Sequence, residues 1–228
     1  MLLNKIKGVL IVFLICIAFT FVVSRMTHYA SMKEAAGETV QYIIDPGHGV
    51  PDGGAVGADG TTEQELNLAI AQNVVKLLKS KKINAILTRS DENSIYSEGE
   101  TIHAKKVSDI RNRIKLTSKY EGVPLISIHL NTFPDRSVSG TQVFYKEGND
   151  TSRLLAQQLQ VAFNQELQAD NAKVIKPISK NIYLFSHIEN PAVLVECGFI
   201  SNDEELKKLK TEEYQNKIAE IIVNALIK

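Results

Sequence analysis

The sequence carries no net charge: 26 lysines and arginines are matched by 26 aspartates and glutamates. Without a basic surplus nothing in the composition points to nucleic acid, and without an acidic surplus there is no solvating tail, so a charged partner would have to be recognised locally. Cysteine is scarce as well. Cys16 lies inside an apolar run and Cys197 in the last third of the chain. A disulfide between them would have to join a hydrophobic segment to a folded core, so none is expected. There is no internal repeat and no low-complexity tract, and 44% hydrophobic composition over 228 residues excludes a disordered or collagen-like chain. The stretch Gly47-His-Gly-Val-Pro-Asp-Gly-Gly54 is glycine-rich. It matches neither the dinucleotide fingerprint nor a P-loop, which removes nucleotides from consideration.

What is present begins at the N-terminus. Lys5 and Lys7 precede sixteen uncharged, mostly apolar residues, Gly8 to Val23, followed by Ser24 and Arg25. This reads as a signal segment. It is short against the roughly 20 residues of a relaxed transmembrane helix, but Ile6 and the snorkelling stems of Lys7 and Arg25 extend it. No small-x-small cleavage site follows, so an uncleaved anchor over residues 1–25 is expected, and the excess of positive charge before the run places the rest of the chain outside the cytoplasm. Cys16 follows Ile15 rather than a small residue, unlike a lipoprotein acylation site. Residues 26–39 lack apolar periodicity and suit a linker, with a single domain over residues 40–228.

Within that domain, short β-branched runs alternate with helical periodicity. Strands are predicted at Val40–Ile44, Ala85–Thr88, Leu125–His129, Gly140–Tyr145 and Ala192–Glu196, with a further short strand at Tyr183–Phe185. Helices are predicted from about Leu66 to Ser80, from Ile102 to Tyr120 with Val107, Ile110, Ile114 and Leu116 facing inward, from Leu154 to Leu167, and over Asp203–Lys210 and Thr211–Lys228. The nearly all-apolar run Leu125-Ile-Ser-Ile-His129 is what a strand covered on both faces requires. The expectation is a three-layer α/β domain with a mostly parallel, mixed central sheet flanked by helices, preceded by the hydrophobic anchor helix.

Three residues with chemistry to offer fall where predicted core strands run out: His48 after the first, His129 at the end of the third and Glu196 at the end of the last. In open α/β sheets ligands bind at that edge. Glu63 joins them, because the short connection from the first strand returns the start of the next helix to the same edge. Thr62 and Glu65 have capping-box spacing, which gives Glu65 a structural task and leaves Glu63 free to face the loop. Two imidazoles and one carboxylate match the protein ligands of a catalytic zinc with its fourth position open to water, and Glu196 remains as a base for that water. Each residue alone has a plainer reading: a loop histidine for His48, a helix-start acid for Glu63, a satisfied core histidine for His129, a paired carboxylate for Glu196. Convergence on one edge is what favours chemistry. His28, His103 and His187 have no positioned partner in the pattern, and Cys197 reads as a small buried residue on the face opposite Glu196.

The motifs themselves resemble a known family. Asp45-Pro-Gly-His-Gly49, Gly54-Ala-Val-Gly57, Glu63 with Leu66-Asn67-Leu68, Leu87-Thr-Arg89, Ser127-Ile-His-Leu-Asn131 and Val195-Glu-Cys-Gly-Phe-Ile-Ser-Asn202 resemble, in order, those of the zinc-dependent N-acetylmuramoyl-L-alanine amidases, the Amidase_3 family. The likeness spans about Tyr42 to the C-terminus and leans toward sporulation members, including their N-terminal hydrophobic segment and a charged helix such as Ser108-Asp-Ile-Arg-Asn-Arg-Ile-Lys115. Val50 stands where many relatives have a third loop glycine, and Cys197 where an apolar residue is common.

This resemblance implies Zn2+ held by His48, Glu63 and His129, with Glu196 as the catalytic carboxylate. The implied substrate is peptidoglycan, cut between N-acetylmuramic acid and L-alanine during spore cortex maturation toward the muramic δ-lactam. The implied location is extracytoplasmic, in the intermembrane space of the developing spore. With no separate wall-binding repeat, affinity would come from the domain itself, from the membrane through the N-terminal segment, or from a helper protein. The same metal constellation fits a zinc peptidase or deacetylase, and a non-catalytic wall-binding module is a rival of another class.

Overall fold

The computed structural model describes Thr20 and residues 39–227. The expected anchor and most of the linker lie outside the described residues, as do Cys16 and His28; among the described residues no helix is long and apolar enough to cross a membrane. From Val40 onward the chain forms one compact unit.

Six strands make one sheet: β1 (Tyr42–Pro46), β2 (Ala85–Leu87), β3 (Leu125–Asn131), β4 (Gln142–Tyr145), β5 (Lys176–Pro177) and β6 (Ala192–Phe199), in the order β2-β1-β3-β6-β4-β5. β2, β1, β3 and β6 run parallel, β4 is antiparallel to β6, and β5 is parallel to β4. The sheet is thus mostly parallel and mixed, as the alternation of elements predicts. Because successive side chains of a strand point to opposite faces, its apolar residues divide between two cores. Ile44, Ile126, Ile128, Val143, Val193 and Val195 face α1 (Glu63–Ser80), α3 (Asp150–Glu166) and α6 (Glu212–Leu226), joined by Leu206 and Leu209 of α5 (Asp203–Leu209). Ile43, Leu125, Ala192 and Leu194 face a smaller core built with α2 (Ile102–Thr117) and α4 (Tyr183–Ser186). The two faces give the three layers.

Several local expectations are corrected. The run at Tyr183–Phe185 is a helical turn rather than a strand: Leu184 and Phe185 are buried together, which helical geometry allows and strand alternation does not. β6 continues through Glu196 to Phe199. Its pairing with β3 passes from His129↔Glu196 to Asn131↔Phe199, so one extra residue bulges there. α2 ends at Thr117, where a turn through Tyr120 leads back to the sheet. Its expected inner face is met in part: Ile110, Ile114 and Leu116 are partly buried and pack against the small core, while the residues it buries fully are the polar Ser108, Asp109, Arg113 and Thr117.

The larger face is filled by many buried aliphatic side chains around one phenylalanine. Phe163 of α3 is fully buried there. Phe163→Ala is expected to lower the unfolding free energy by about 3–5 kcal/mol, measured by urea denaturation; a loss below ~1 kcal/mol would mean that the core closes around the deletion.

Candidate metal centre

The site is assembled where β1 and β3, neighbours in the sheet, reach their carboxyl ends. β1 leads into the turn Asp45-Pro-Gly-His-Gly49, and His48 occupies the left-handed region with φ 61°. A non-glycine residue held there costs on the order of 1–3 kcal/mol and persists only when its surroundings impose it. Here the turn's carbonyls are gripped by two buried arginines. Arg113 Nη1 donates to the Pro46 oxygen at 2.8 Å and Nη2 to the His48 oxygen at 2.5 Å. Arg89 Nε donates to the Pro46 oxygen at 3.0 Å, and its Nη2 to the oxygens of Gly47 and Gln64, both at 2.9 Å. The Asp45 carboxylate below the turn accepts from Thr88 Oγ1 at 2.6 Å, Ser127 Oγ at 2.7 Å and Arg113 Nη1 at 2.5 Å. Burial alone would raise the Asp45 carboxyl, yet the Arg113 charge and these bonds hold it below the usual range.

α1 brings in Glu63. The capping box expected from Thr62 and Glu65 does not form: Thr62 makes no side-chain cap, and Glu65 is exposed. The first helical amides are satisfied instead by the loop, Glu63 N donating to the Ala55 oxygen at 2.8 Å and Gln64 N to the Gly53 oxygen at 3.1 Å. Loop carbonyls therefore cap the helix, and Glu63 turns back across them. Its Oε2 accepts from Ala55 N at 3.0 Å, and its Oε1 accepts from Leu130 N at 3.1 Å and Asn67 Nδ2 at 3.2 Å.

The carboxylate meets both imidazoles. Glu63 Oε2 lies 3.1 Å from His48 Nε2, and Glu63 Oε1 lies 2.9 Å from His129 Nδ1. The two rings stand edge to face with centroids 5.0 Å apart. The three prospective ligand atoms all fall within 4.8 Å of one another, close enough for one small divalent ion to draw them to bonds of about 2.0–2.2 Å. Asp52 completes the arrangement: its Oδ2 lies 2.9 Å from His48 Nδ1 and 2.9 Å from Lys106 Nζ, which leaves His48 Nε2 to face inward. Beside His129, in direct register on β6, stands Glu196. Its Oε2 is buried with no hydrogen-bond partner among the described residues. The carboxylate thus has an acceptor that these residues leave unused.

Electrostatics sharpen this division between two carboxyls. Burial works to raise Glu63, but the hydrogen bonds and charges of His129 and His48 outweigh it and keep the group far below the usual carboxylate range. Burial raises Glu196 too, against the lowering charges of His129 and His48 and with the neighbouring Glu63 charge adding to it, so that it reaches about 7. His48 is driven down by burial and up, more strongly, by Asp52 and Glu63, to about 9. The donor set of two nitrogens and one carboxylate, a second carboxylate with an unused oxygen, and room for the rings all suit a catalytic zinc. The room is made by glycines. A Cβ on Gly47 would lie 2.2–2.7 Å from the His129 ring, and one on Gly54 would lie 2.6 Å from Glu63 Oε2.

All four residues singled out in the sequence therefore stand together. Of the others, His103 is exposed, and Cys197 is fully buried on the large-core side, opposite Glu196. Burial pushes the Cys197 thiol far up, so it has no nucleophilic role. His187 does have a partner, contrary to expectation: its ring stacks on Tyr183 at 3.7 Å. The supporting roles of Asp52, Arg89, Lys106 and Arg113 were not recognisable from spacing, because Lys106 meets Asp52, and Arg89 and Arg113 meet the carbonyls of the His48 turn, across long sequence distances. The available signal was that Arg89 and Arg113 stand in the motifs Leu87-Thr-Arg89 and Ser108–Lys115. A cavity of about 230 Å³ opens beside the two imidazoles, walled by Lys106, Ile110, Ile182, Leu184 and Phe185.

Two outcomes follow. Gly47→Ala should lower divalent-metal uptake at least tenfold, read by chelator competition, since the new methyl displaces His129; unchanged uptake would show that the ring has another seat. The metal-free protein should also lose stability as pH rises. His48 (ordinarily 6.5) and Glu196 (ordinarily 4.5) both have raised values in the fold, so each stabilises it fully below its ordinary value and loses that contribution as pH climbs through about 9 and about 7. Melting temperatures in chelator should fall from pH 6.5 to 9, and a flat or rising profile would contradict the arrangement.

Comparison with known proteins places this geometry. A family profile described as N-acetylmuramoyl-L-alanine amidase matches residues 43–228. The germination-specific N-acetylmuramoyl-L-alanine amidase of Bacillus subtilis is 33% identical over 186 residues, covering 81% of this chain and 77% of that one. The CwlD amidase of Clostridioides difficile, solved in complex with the GerS lipoprotein, is similar with a TM-score of 0.78 and 36% identity, over 82% of this chain and 95% of that one. An N-acetylmuramoyl-L-alanine amidase of Clostridium difficile aligns with a TM-score of 0.71 and 26% identity, over 84% and 96% of the two chains. With its motifs in order, its sheet topology and its clustered side chains accounted for, the chain belongs to the Amidase_3 family of N-acetylmuramoyl-L-alanine amidases.

Proposed function

We propose that the chain is a zinc-dependent hydrolase that cuts the amide between N-acetylmuramic acid and the L-alanine of the peptidoglycan stem peptide. The observation that carries this reading is the meeting of His48, Glu63 and His129 around one point with the unpaired Glu196 Oε2 beside it. In this reading His48, Glu63 and His129 hold the ion. When bound, zinc would supply Lewis acidity to the amide carbonyl and to the attacking water. The remaining work belongs to the chain. Glu196 Oε2 accepts the proton of the water as it attacks, and the same oxygen then delivers it to the departing L-alanine nitrogen. Its raised affinity for a proton suits both halves of that task, since a carboxyl near neutrality can take and give at the pH of the reaction. The neighbouring cavity, mostly apolar along Ile110, Leu184 and Phe185 with Lys106 at its wall, gives the substrate a surface against which to lie and excludes water from one side.

The setting is part of the same proposal. The chain would act outside the cytoplasm as a domain spanning residues 40–228, carried by a membrane anchor over residues 1–25 and a linker over residues 26–39. Its likeness to germination-specific relatives supports a place in spore cortex maturation. The GerS lipoprotein bound to the Clostridioides difficile relative supports a helper protein for this chain as well.

Glu196→Gln is the direct test. It should retain metal in full and lower turnover about 10²- to 10⁴-fold, measured as stem peptides released from purified peptidoglycan by mass spectrometry. Wild-type turnover in that variant would remove Glu196 from the chemistry. Products with intact amides but lost acetyl groups, or cuts within the stem peptide, would replace the amidase by a deacetylase or a peptidase.

A further inference from the structure

The charged stripe of α2 is left unexplained by the reaction. A helix lying on a sheet ordinarily turns apolar residues toward it, yet α2 buries Asp109, Arg113 and Thr117, four residues apart on one face. Arg113 is 3% exposed and all three nitrogens of its guanidinium are engaged: Nε with Asp109 Oδ2 at 2.8 Å, Nη1 with Asp45, Pro46 and Thr88, Nη2 with the His48 carbonyl. Arg89, also 3% exposed, spans from the carbonyls of Pro46 and Gly47 to that of Gln64, the residue after Glu63. None of these contacts reaches the cluster itself. Those to carbonyls hold the backbone at and beside His48 and next to Glu63, and those to Asp109, Asp45 and Thr88 seat the Arg113 plane.

We infer that Arg89 and Arg113 are positioning residues for the metal centre: Arg113 holds His48 in its left-handed conformation, and Arg89 sets the spacing between the His48 turn and the start of α1. The inference rests on the reading of His48, Glu63 and His129 as metal ligands. A fork of donors is required. The carbonyls of Pro46 and His48 are reached by separate arms of one rigid plane, so the plane fixes their relative direction and with it the direction of the His48 side chain. A lysine keeps the charge opposite Asp45 and loses that geometry. Asp109 and Asp45 flank the Arg113 plane on two sides, which leaves it one orientation.

The test uses the full-length chain and its metal affinity. Arg113→Lys and Arg89→Lys are compared with Asn190→Ala. Asn190 donates to the carbonyls of Tyr120 and Val123 at the other edge of the sheet, so its loss destabilises without touching the site. Zinc dissociation constants come from chelator competition, ligand geometry from the visible spectrum of the cobalt-loaded protein, and stability from melting of the metal-free protein. Loss of an outer residue that orients a ligand weakens metal binding roughly 10- to 100-fold. That weakening, with an altered cobalt spectrum, is expected for the arginine variants and not for Asn190→Ala. Should Arg113→Lys fail to fold, Arg89→Lys decides. Affinity and spectrum unchanged in the folded arginine variants, or a loss of affinity in Asn190→Ala that matches theirs at equal melting temperature, would overturn the inference. Wild-type protein that takes up no zinc would instead sink the reading on which it rests.

Discussion

The carboxylate of Glu63 is the point through which the site is held together. It is 4% exposed, and each oxygen meets one imidazole while also accepting backbone or side-chain N–H bonds. A buried anion is costly unless paired and hydrogen-bonded. This one is both, and its partners arrive from the turn after β1, from β3 and from the loop before α1. Meeting them fixes the mutual position of three separate segments. The loop from Gly53 to Ala55 serves the same end twice, capping α1 with its carbonyls and donating the Ala55 amide to Glu63 Oε2.

Beneath that point lies a second buried charge system, Asp45 with Arg113 and Asp109. Such groups seldom add net stability compared with apolar residues of the same volume, but removing one partner strands the other. What they supply is direction. The Pro46, Gly47 and His48 carbonyls have no strand to pair with at the sheet's edge, and the guanidiniums take the place that a neighbouring strand would have filled. In an α/β sheet this edge is where binding residues gather, and here a polar underlayer keeps them from collapsing onto the core.

How much of this could be read from the chain is a matter of range. The parallel strands were legible because runs such as Leu125–Ile128 are apolar on both faces, and His48, Glu63, His129 and Glu196 were legible because each falls beside such a run or a helix start. The capping box at Thr62 and Glu65 misled, since its local spacing competes with loop carbonyls that only the folded turn brings near. Tyr183–Phe185 misled for the same reason: three apolar residues carry no period, and packing against the small core decided for a helical turn. The inward face of α2 was legible only in part: Ile110, Ile114 and Leu116 do pack against the small core, but hydrophobic periodicity cannot show that Arg113 has partners 25 and 68 residues away.

The two faces of the sheet are unequal, and the inequality has a direction. Three long helices seal one side, whereas the other is covered by α2, whose buried stripe is polar, and by the single turn of α4. Partial opening follows the smaller apolar contribution. Under heat or denaturant α2 would lift away first and carry Arg113 with it, while the sheet and its opposite helices stayed intact. Competence to hold the ion would then vanish at a milder stress than the fold itself, so that inactivation and unfolding become two separate events in one small domain.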